Sequence, residues 1–130
     1  MGKLIAVVED EPFIAEVLEF LLAGVDRQVK LLRSGEEARR FFSNSQLTGE
    51  DTPALVVLDL MMPDDDGEAI YESMLKPGSG WIAGRPKTIV LSAVGQAPVK
   101  ERLLALGVDQ FITKPFSNEE LLAEVDRLCG

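Results

Sequence analysis

Three short, almost wholly apolar runs each break off at a polar residue. Leu4-Ile5-Ala6-Val7-Val8 stops at Glu9-Asp10, Ala54-Leu55-Val56-Val57-Leu58 at Asp59, and Thr88-Ile89-Val90-Leu91 at Ser92. Runs this short, without polar alternation, read as strands buried on both faces, the habit of a parallel sheet. Two weaker segments complete the set: Gln28–Arg33 as a second strand and Gln110–Thr113 as a last one, ending at Lys114-Pro115.

Between the runs the period changes to that of a helix. After Pro12, Ile14, Val17, Leu18, Leu21 and Leu22 form one buried face that ends near Gly24. Ser34 can cap a helix over 35–42, with Glu37 as its capping-box partner. Residues 67–76 form a helix with Ile70 and Met74 inward, and 98–106 another with Val99, Leu103 and Leu106 inward and Gly107 as its stop. Ser117, with Glu120 three residues on, caps a last helix that buries Leu121, Leu122, Val125 and Leu128. Strand and helix thus alternate five times, which implies one α/β domain over residues 1–130, doubly wound, with helices on both faces of a five-stranded parallel sheet. Residues 43–53 and 76–86 read as loops, the second carrying the only tryptophan, Trp81, as a loop anchor or part of a contact surface, the anchor being favoured.

The formal net charge of −9 argues against direct nucleic-acid binding, which needs phosphate-neutralising Lys and Arg. With no histidine, the chain cannot itself be a phosphohistidine donor. With one cysteine, Cys129, it cannot form an internal disulfide, which fits a reducing, cytoplasmic setting. No apolar run reaches the roughly 20 residues that cross a bilayer, so no membrane association is expected.

In an open α/β sheet, ligands bind beyond the carboxyl ends of the strands, at the switch point in strand order. Four strands end there in groups of complementary chemistry: Glu9 and Asp10, Asp59, Ser92, and Lys114. Carboxylates about 4 Å apart repel by roughly 4 kcal/mol per pair at an effective dielectric near 20. Such a cluster keeps a proton or binds a cation. Carboxylates with a carbonyl and waters suit Mg2+. Metal and ammonium together neutralise phosphoryl oxygens, and a carboxylate is a competent nucleophile for phosphoryl transfer.

These segments resemble the receiver domain of two-component response regulators. Val7-Val8-Glu9-Asp10-Glu11-Pro12 looks like its acidic motif, and Leu58-Asp59-Leu60-Met61-Met62-Pro63 with Asp66-Gly67 like its phosphoacceptor segment. Leu91-Ser92-Ala93 looks like its hydroxyl motif, and Phe111-Ile112-Thr113-Lys114-Pro115-Phe116 like its lysine motif. The resemblance covers nearly the whole chain and implies a (βα)5 flavodoxin-like fold with strand order 2-1-3-4-5. It implies that Asp59 takes up the phosphoryl group and that Mg2+, replaceable by Mn2+, is held by Asp10, Asp59, the Met61 carbonyl and, through water, Glu9. It implies that Lys114 and Ser92 contact the phosphoryl oxygens, that Phe111 is an aromatic switch turning inward, and that the Lys114–Pro115 peptide is cis. The partners it implies are a histidine kinase or histidine phosphotransfer protein and an effector. The fourth helix, fifth strand and fifth helix would form the output face, and a homodimer could use it. Glu9 stands where Asp is commonest in the family. Asp64 and Asp65 read as a solvated turn.

Rival chemistries find less support. A haloacid-dehalogenase-type hydrolase wants a second Asp two residues after the nucleophile, where this chain has Met61. No GxxxxGK[ST] loop occurs, and acids occupy the place of a flavin-phosphate loop. A receiver fold without phosphorylation, serving only for docking, is disfavoured by the presence of Asp10, Asp59, Ser92 and Lys114. Met61 and Val94, two residues beyond Asp59 and Ser92, are apolar and offer nothing to orient an attacking water, so a long-lived phosphoryl group is expected.

Overall fold

The computed structural model describes residues 3–24, 26–42, 53–60, 62, 64, 66–74, 86–93 and 97–129. The elements alternate as expected: β1 (Lys3–Val8), α1 (Pro12–Leu22), β2 (Arg27–Leu32), α2 (Gly35–Phe42), β3 (Leu55–Asp59), α3 (Gly67–Met74), β4 (Lys87–Ser92), α4 (Ala97–Leu106), β5 (Gln110–Thr113) and α5 (Asn118–Cys129). The five strands form one sheet in the order β2-β1-β3-β4-β5, and every pair is parallel.

Successive side chains on a strand point to opposite faces. The central strands are apolar on both faces, so each feeds two cores. Ala6 and Val8, Val56 and Leu58, and Val90 join a cluster with Ala38 and Phe42 of α2, Ile70, Tyr71 and Met74 of α3, and Leu103 of α4. Ile5 and Val7, Leu55 and Val57, and Ile89 and Leu91 join the other, with Leu18 and Leu22 of α1 and Leu121, Val125 and Cys129 of α5. This is why β1, β3 and β4 show no alternation. β2 lies at the sheet edge, and its residues alternate between partly buried and exposed up to Leu31, after which Leu32 is buried.

Helix ends are closed by side chains and by glycine. Glu11 accepts from Ile14 N at α1, and Ser117 Oγ accepts from Glu120 N at α5. At the end of α4, Gly107 adopts φ 109°, Gly107 N donates to Leu104 O, and Val108 N donates to Leu103 O. That pair of bonds is a Schellman turn, and the positive φ explains the glycine.

Several expectations need correction. Leu106, expected inward, is 37% exposed, and among the described side chains of α4 Leu103 alone is fully buried. On α5 the buried line runs Leu121, Val125, Cys129, with Leu122 and Leu128 only partly buried. Glu37 returns its carboxylate to Arg33 N and not to the cap residue Ser34. Asp64 is no mere solvated turn, since both its oxygens accept from the backbone of α2. The loop assignments for 43–53 and 76–86, including Trp81, lie outside the described residues apart from Pro53 and Pro86. Among the described residues no helix is long and apolar enough to cross a membrane.

Candidate phosphoacceptor and metal site

The strand order reverses between β1 and β3, because the chain goes from β1 outward to β2 and then returns to β1's other side. The register Val8↔Leu58 sets the residues that follow, Glu9 and Asp59, side by side at the carboxyl edge. Glu9 N donates to Leu32 O over 3.0 Å, which continues the ladder one residue past β1 and fixes Glu9 in place. Ser92 ends β4, one residue beyond Leu91, the register partner of Asp59. Lys114 follows β5, and its N–H donates to Ser92 O over 2.7 Å. The Lys114–Pro115 peptide is cis.

The side chains converge. Carboxylate oxygens of Glu9, Asp10 and Asp59 lie within 4.8 Å of one another. Lys114 Nζ donates to Asp59 Oδ2 over 2.9 Å and stands 3.7 Å from Glu9 Oε1. Glu9, Asp59 and Ser92 are buried, while Asp10 is partly open. Three carboxylates face one ammonium, an excess of negative charge that burial makes expensive.

Glu9 carries the consequence. Burial pushes its carboxyl group up to about 7, and the neighbouring Asp59 adds to the rise, against the opposing pull of Lys114 and of the Glu11 N–H. That N–H donates to Glu9 Oε2 over 3.3 Å, whereas Glu9 Oε1 is buried and meets no hydrogen-bond donor among the described residues. A buried acceptor left without a donor is costly. A hard cation placed between Glu9, Asp10 and Asp59 would satisfy it, so the donor set fits a divalent metal of the oxygen-loving kind.

Comparison with known proteins agrees with this geometry. Residues 5–126 match the family described as "Response regulator receiver domain". The chain belongs to the response regulator receiver domain family. A protein of Cyanophora paradoxa named "Probable transcriptional regulator ycf27" is 37% identical over 126 residues, covering 97% of this chain and 48% of that protein. The receiver domain thus spans about half the length of the curated relatives it matches. Among solved structures, the receiver domain of a signal transduction histidine kinase from Syntrophus aciditrophicus is 34% identical with TM-score 0.72, covering 98% of this chain and 90% of that one. The receiver domain of a sensor histidine kinase from Pseudomonas aeruginosa, described with magnesium coordinated in its active-site cleft, is 25% identical with TM-score 0.78 and covers 100% and 99%. A receiver domain is a signalling phosphoacceptor domain, the component of two-component signal transduction that response regulators and some sensor kinases share.

Of the residues singled out in the sequence, Glu9, Asp10, Asp59 and Lys114 meet in this receiver domain's pocket, and Ser92 ends the adjoining strand. Met61 and Val94 lie outside the described residues. The Phe111 ring is 9% exposed, belongs to the core cluster with Leu103 and Val108, and has Lys100 Nζ 6.0 Å from its centroid. Sequence reasoning missed that Lys114 faces Glu9 as well as Asp59, and that Asp64 ties the segment after Asp59 to another helix. The first was implicit in two acids and one lysine at the carboxyl ends of strands in one parallel sheet. The second had no local signal, because its partners are 28 and 29 positions away.

Proposed function

We propose that this domain receives a phosphoryl group on Asp59 from the phosphohistidine of a histidine kinase or histidine phosphotransfer protein, in a reaction that requires Mg2+, with Mn2+ able to substitute. The observation that carries this reading is the 2.9 Å contact between Lys114 Nζ and Asp59 Oδ2 inside the cluster of three carboxylates. A carboxylate oxygen of Asp59 forms the new bond to phosphorus as the bond from phosphorus to imidazole nitrogen breaks, and the imidazole departs neutral after taking a proton. Glu9, Asp10, Asp59 and the Met61 carbonyl would hold the cation, whose charge offsets that of the phosphoryl oxygens. Lys114 exchanges its Asp59 contact for a phosphoryl oxygen, and the Ser92 hydroxyl donates to another. Apart from this transfer and slow loss of the group, the domain has no turnover of its own.

The donor protein docks across α1. Phe13 and Phe20 are 72% and 87% exposed. Phe13 borders a groove of about 410 Å³ with Ile14, Val17, Lys114, Pro115 and Phe116. Lys114 belongs to both groove and pocket, so a donor histidine aimed at Asp59 must pass over this apolar surface. Output leaves by the face of α4, β5 and α5, through a shift between two pre-existing conformations in which Ser92 and Phe111 take part. Leu104 and Leu106 stand exposed on that face, which suits an effector or a second copy of the domain.

Incubation with acetyl phosphate and Mg2+, followed by mass spectrometry, tests the reading. Wild type gains one phosphoryl group, chelation prevents it, and Asp59→Asn gains none. Full uptake by Asp59→Asn, or none by wild type, overturns it.

A further inference from the structure

Among the described side chains, α4 buries the fewest of any helix: Leu103 fully and Val99 in part. By contrast α1 buries Ala15, Leu18 and Leu22, and α5 buries Leu121, Val125 and Cys129. An element with few buried apolar contacts is among the first to move. Two polar contacts add to the hold on α4. Lys100 Nζ stands 6.0 Å from the centroid of Phe111 on β5, the outer limit of a cation–π contact. Arg102 is tied far more firmly, to α3. Its Nε donates to Glu68 Oε2 over 2.7 Å and its Nη2 to Glu68 Oε1 over 2.9 Å, a two-pronged fork between residues 34 positions apart. The guanidinium holds the Glu68 carboxyl below the ordinary carboxylate range.

Glu68 is itself firmly placed. Its N–H donates to Asp66 Oδ1 over 3.0 Å, and the residue before it, Gly67, lies directly on the backbone of the phosphoacceptor strand. A Cβ at Gly67 would stand 2.6 Å from Leu60 Cα and 2.8 Å from Asp59 O, and Gly67 N donates to Leu60 O over 3.3 Å. No side chain cushions that contact, and close-packed interiors transmit strain. A displacement of the Asp59–Leu60 backbone therefore reaches Glu68. A fork tolerates little displacement before both of its hydrogen bonds weaken. The fork is made here while Lys114 still bonds to Asp59 itself, the unmodified state of the pocket.

We propose that the Glu68–Arg102 ion pair is a latch that holds α4 in the unphosphorylated arrangement, so that breaking it favours the arrangement in which Asp59 carries a phosphoryl group. This rests on the reading of Asp59 as the phosphoacceptor. A contact made in one of two arrangements opposes every ligand that prefers the other. The latched helix is the one that exposes Leu104 and Leu106, so the pair restrains the output face until the pocket is filled.

Equilibrium binding of beryllofluoride in the presence of Mg2+ tests the latch. This probe mimics an acyl phosphate on a carboxylate, and fluorine NMR on the full chain reads the bound fraction, with thermal melting measured beside it. Arg102→Met and Glu68→Gln each bind about two- to fivefold tighter than wild type, the range set by one solvent-exposed ion pair. The double variant binds no tighter than either single one, because the same contact is lost in all three. Arg102→Lys, which keeps the charge but not the fork, falls between. Arg127→Met removes the same charge from the Glu124 pair on α5 and binds like wild type. A purely structural role would lower the melting temperature without tightening binding. Unchanged or weaker binding in either single variant, or equal tightening in Arg127→Met, overturns the latch while leaving Asp59 as the phosphoacceptor. If Arg102→Met does not fold, Glu68→Gln and Arg102→Lys decide by the same criterion. No binding by wild type overturns the phosphoacceptor reading and the latch together.

Discussion

Lys114 Nζ donates to Asp59 Oδ2 over 2.9 Å although β4 lies between the strands that carry the two residues. The lysine thus reaches across the end of β4, past Ser92, to the centre of the pocket. A single ammonium there offsets the mutual repulsion of the three carboxylates.

The first expectation concerns that repulsion. Asp10 is partly exposed and adds a third negative charge to the buried pair. Asp10→Asn should raise the stability of the metal-free protein by about 1 kcal/mol at pH 8, a fraction of the pairwise repulsion because solvent screens it. The same change should weaken Mg2+ binding. Urea unfolding in chelator, with and without added Mg2+, measures both; a less stable metal-free Asp10→Asn would contradict the charge-crowding account.

The second concerns pH. Glu9 titrates at about 7 in the folded protein against 4.5 for its ordinary value. Between those values the folded state holds the extra proton, so stability falls as pH rises from about 4.5 through 7. The shift from 4.5 to about 7 corresponds to at most about 3.5 kcal/mol, since one pKa unit is worth about 1.4 kcal/mol. Glu68, lowered by Arg102, and Glu124, lowered by Gln110 and Arg127, work in the opposite sense, with stability lost only as pH falls below the ordinary carboxylate range. Metal-free protein should therefore be more stable at pH 5.5 than at pH 8, and Glu9→Gln should flatten that slope. Denaturant midpoints at the two pH values decide it.

Much of this was legible in the sequence for identifiable reasons. β1, β3 and β4 feed cores on both faces, so their unbroken apolar runs announce them, and the residue where each run stops is the residue at the pocket. Parallel pairing brings those stops to one edge without further information. The unread part is what depends on partners far along the chain. Asp64 looks like any acid in a turn until α2 is placed beside it. Leu106 fits the inward spacing from Val99 and Leu103, yet the Schellman turn at Gly107 ends the helix there and leaves it exposed. Cys129 falls on the buried line of α5, a position that a terminal cysteine does not advertise.

Gly67 yields a third expectation. A Cβ there would stand 2.6 Å from Leu60 Cα and 2.8 Å from Asp59 O, both backbone atoms that cannot swing aside. Gly67→Ala should destabilise the domain by about 1–3 kcal/mol, the usual cost of overpacking, and displace the backbone that carries Asp59. Thermal melting gives the first effect, and the rate of uptake from acetyl phosphate gives the second. A variant that melts like wild type would show that α3 can retreat freely from β3.

Under the proposed transfer, the lifetime of the phosphoryl group depends on which side chains could hold an attacking water near Asp59. Met61 and Val94, two residues beyond Asp59 and Ser92 in the sequence, are apolar. Attack on the acyl phosphate needs a water held and deprotonated. Loss of the group should therefore be slow, and Met61→Glu or Val94→Glu should accelerate it. Decay at neutral pH followed after removal of donor tests this; a wild-type half-life of seconds would refute it.

Docking and chemistry can be separated on α1. Phe13 is exposed and borders the groove that shares Lys114 with the pocket, but it is no part of the carboxylate cluster. Phe13→Ser removes apolar area from the proposed donor-docking surface, at about 25 cal/mol per Å², and leaves the Asp59–Lys114 pair and the carboxylate cluster unaltered. Transfer from a cognate histidine phosphotransfer domain should slow through a raised KM for that protein, by roughly tenfold for loss of one well-placed aromatic anchor. Uptake from acetyl phosphate, which is too small to span the groove, should be unchanged. Equal slowing with both donors would mean that Phe13 shapes the pocket itself, and no slowing with either would move the donor's docking surface away from α1.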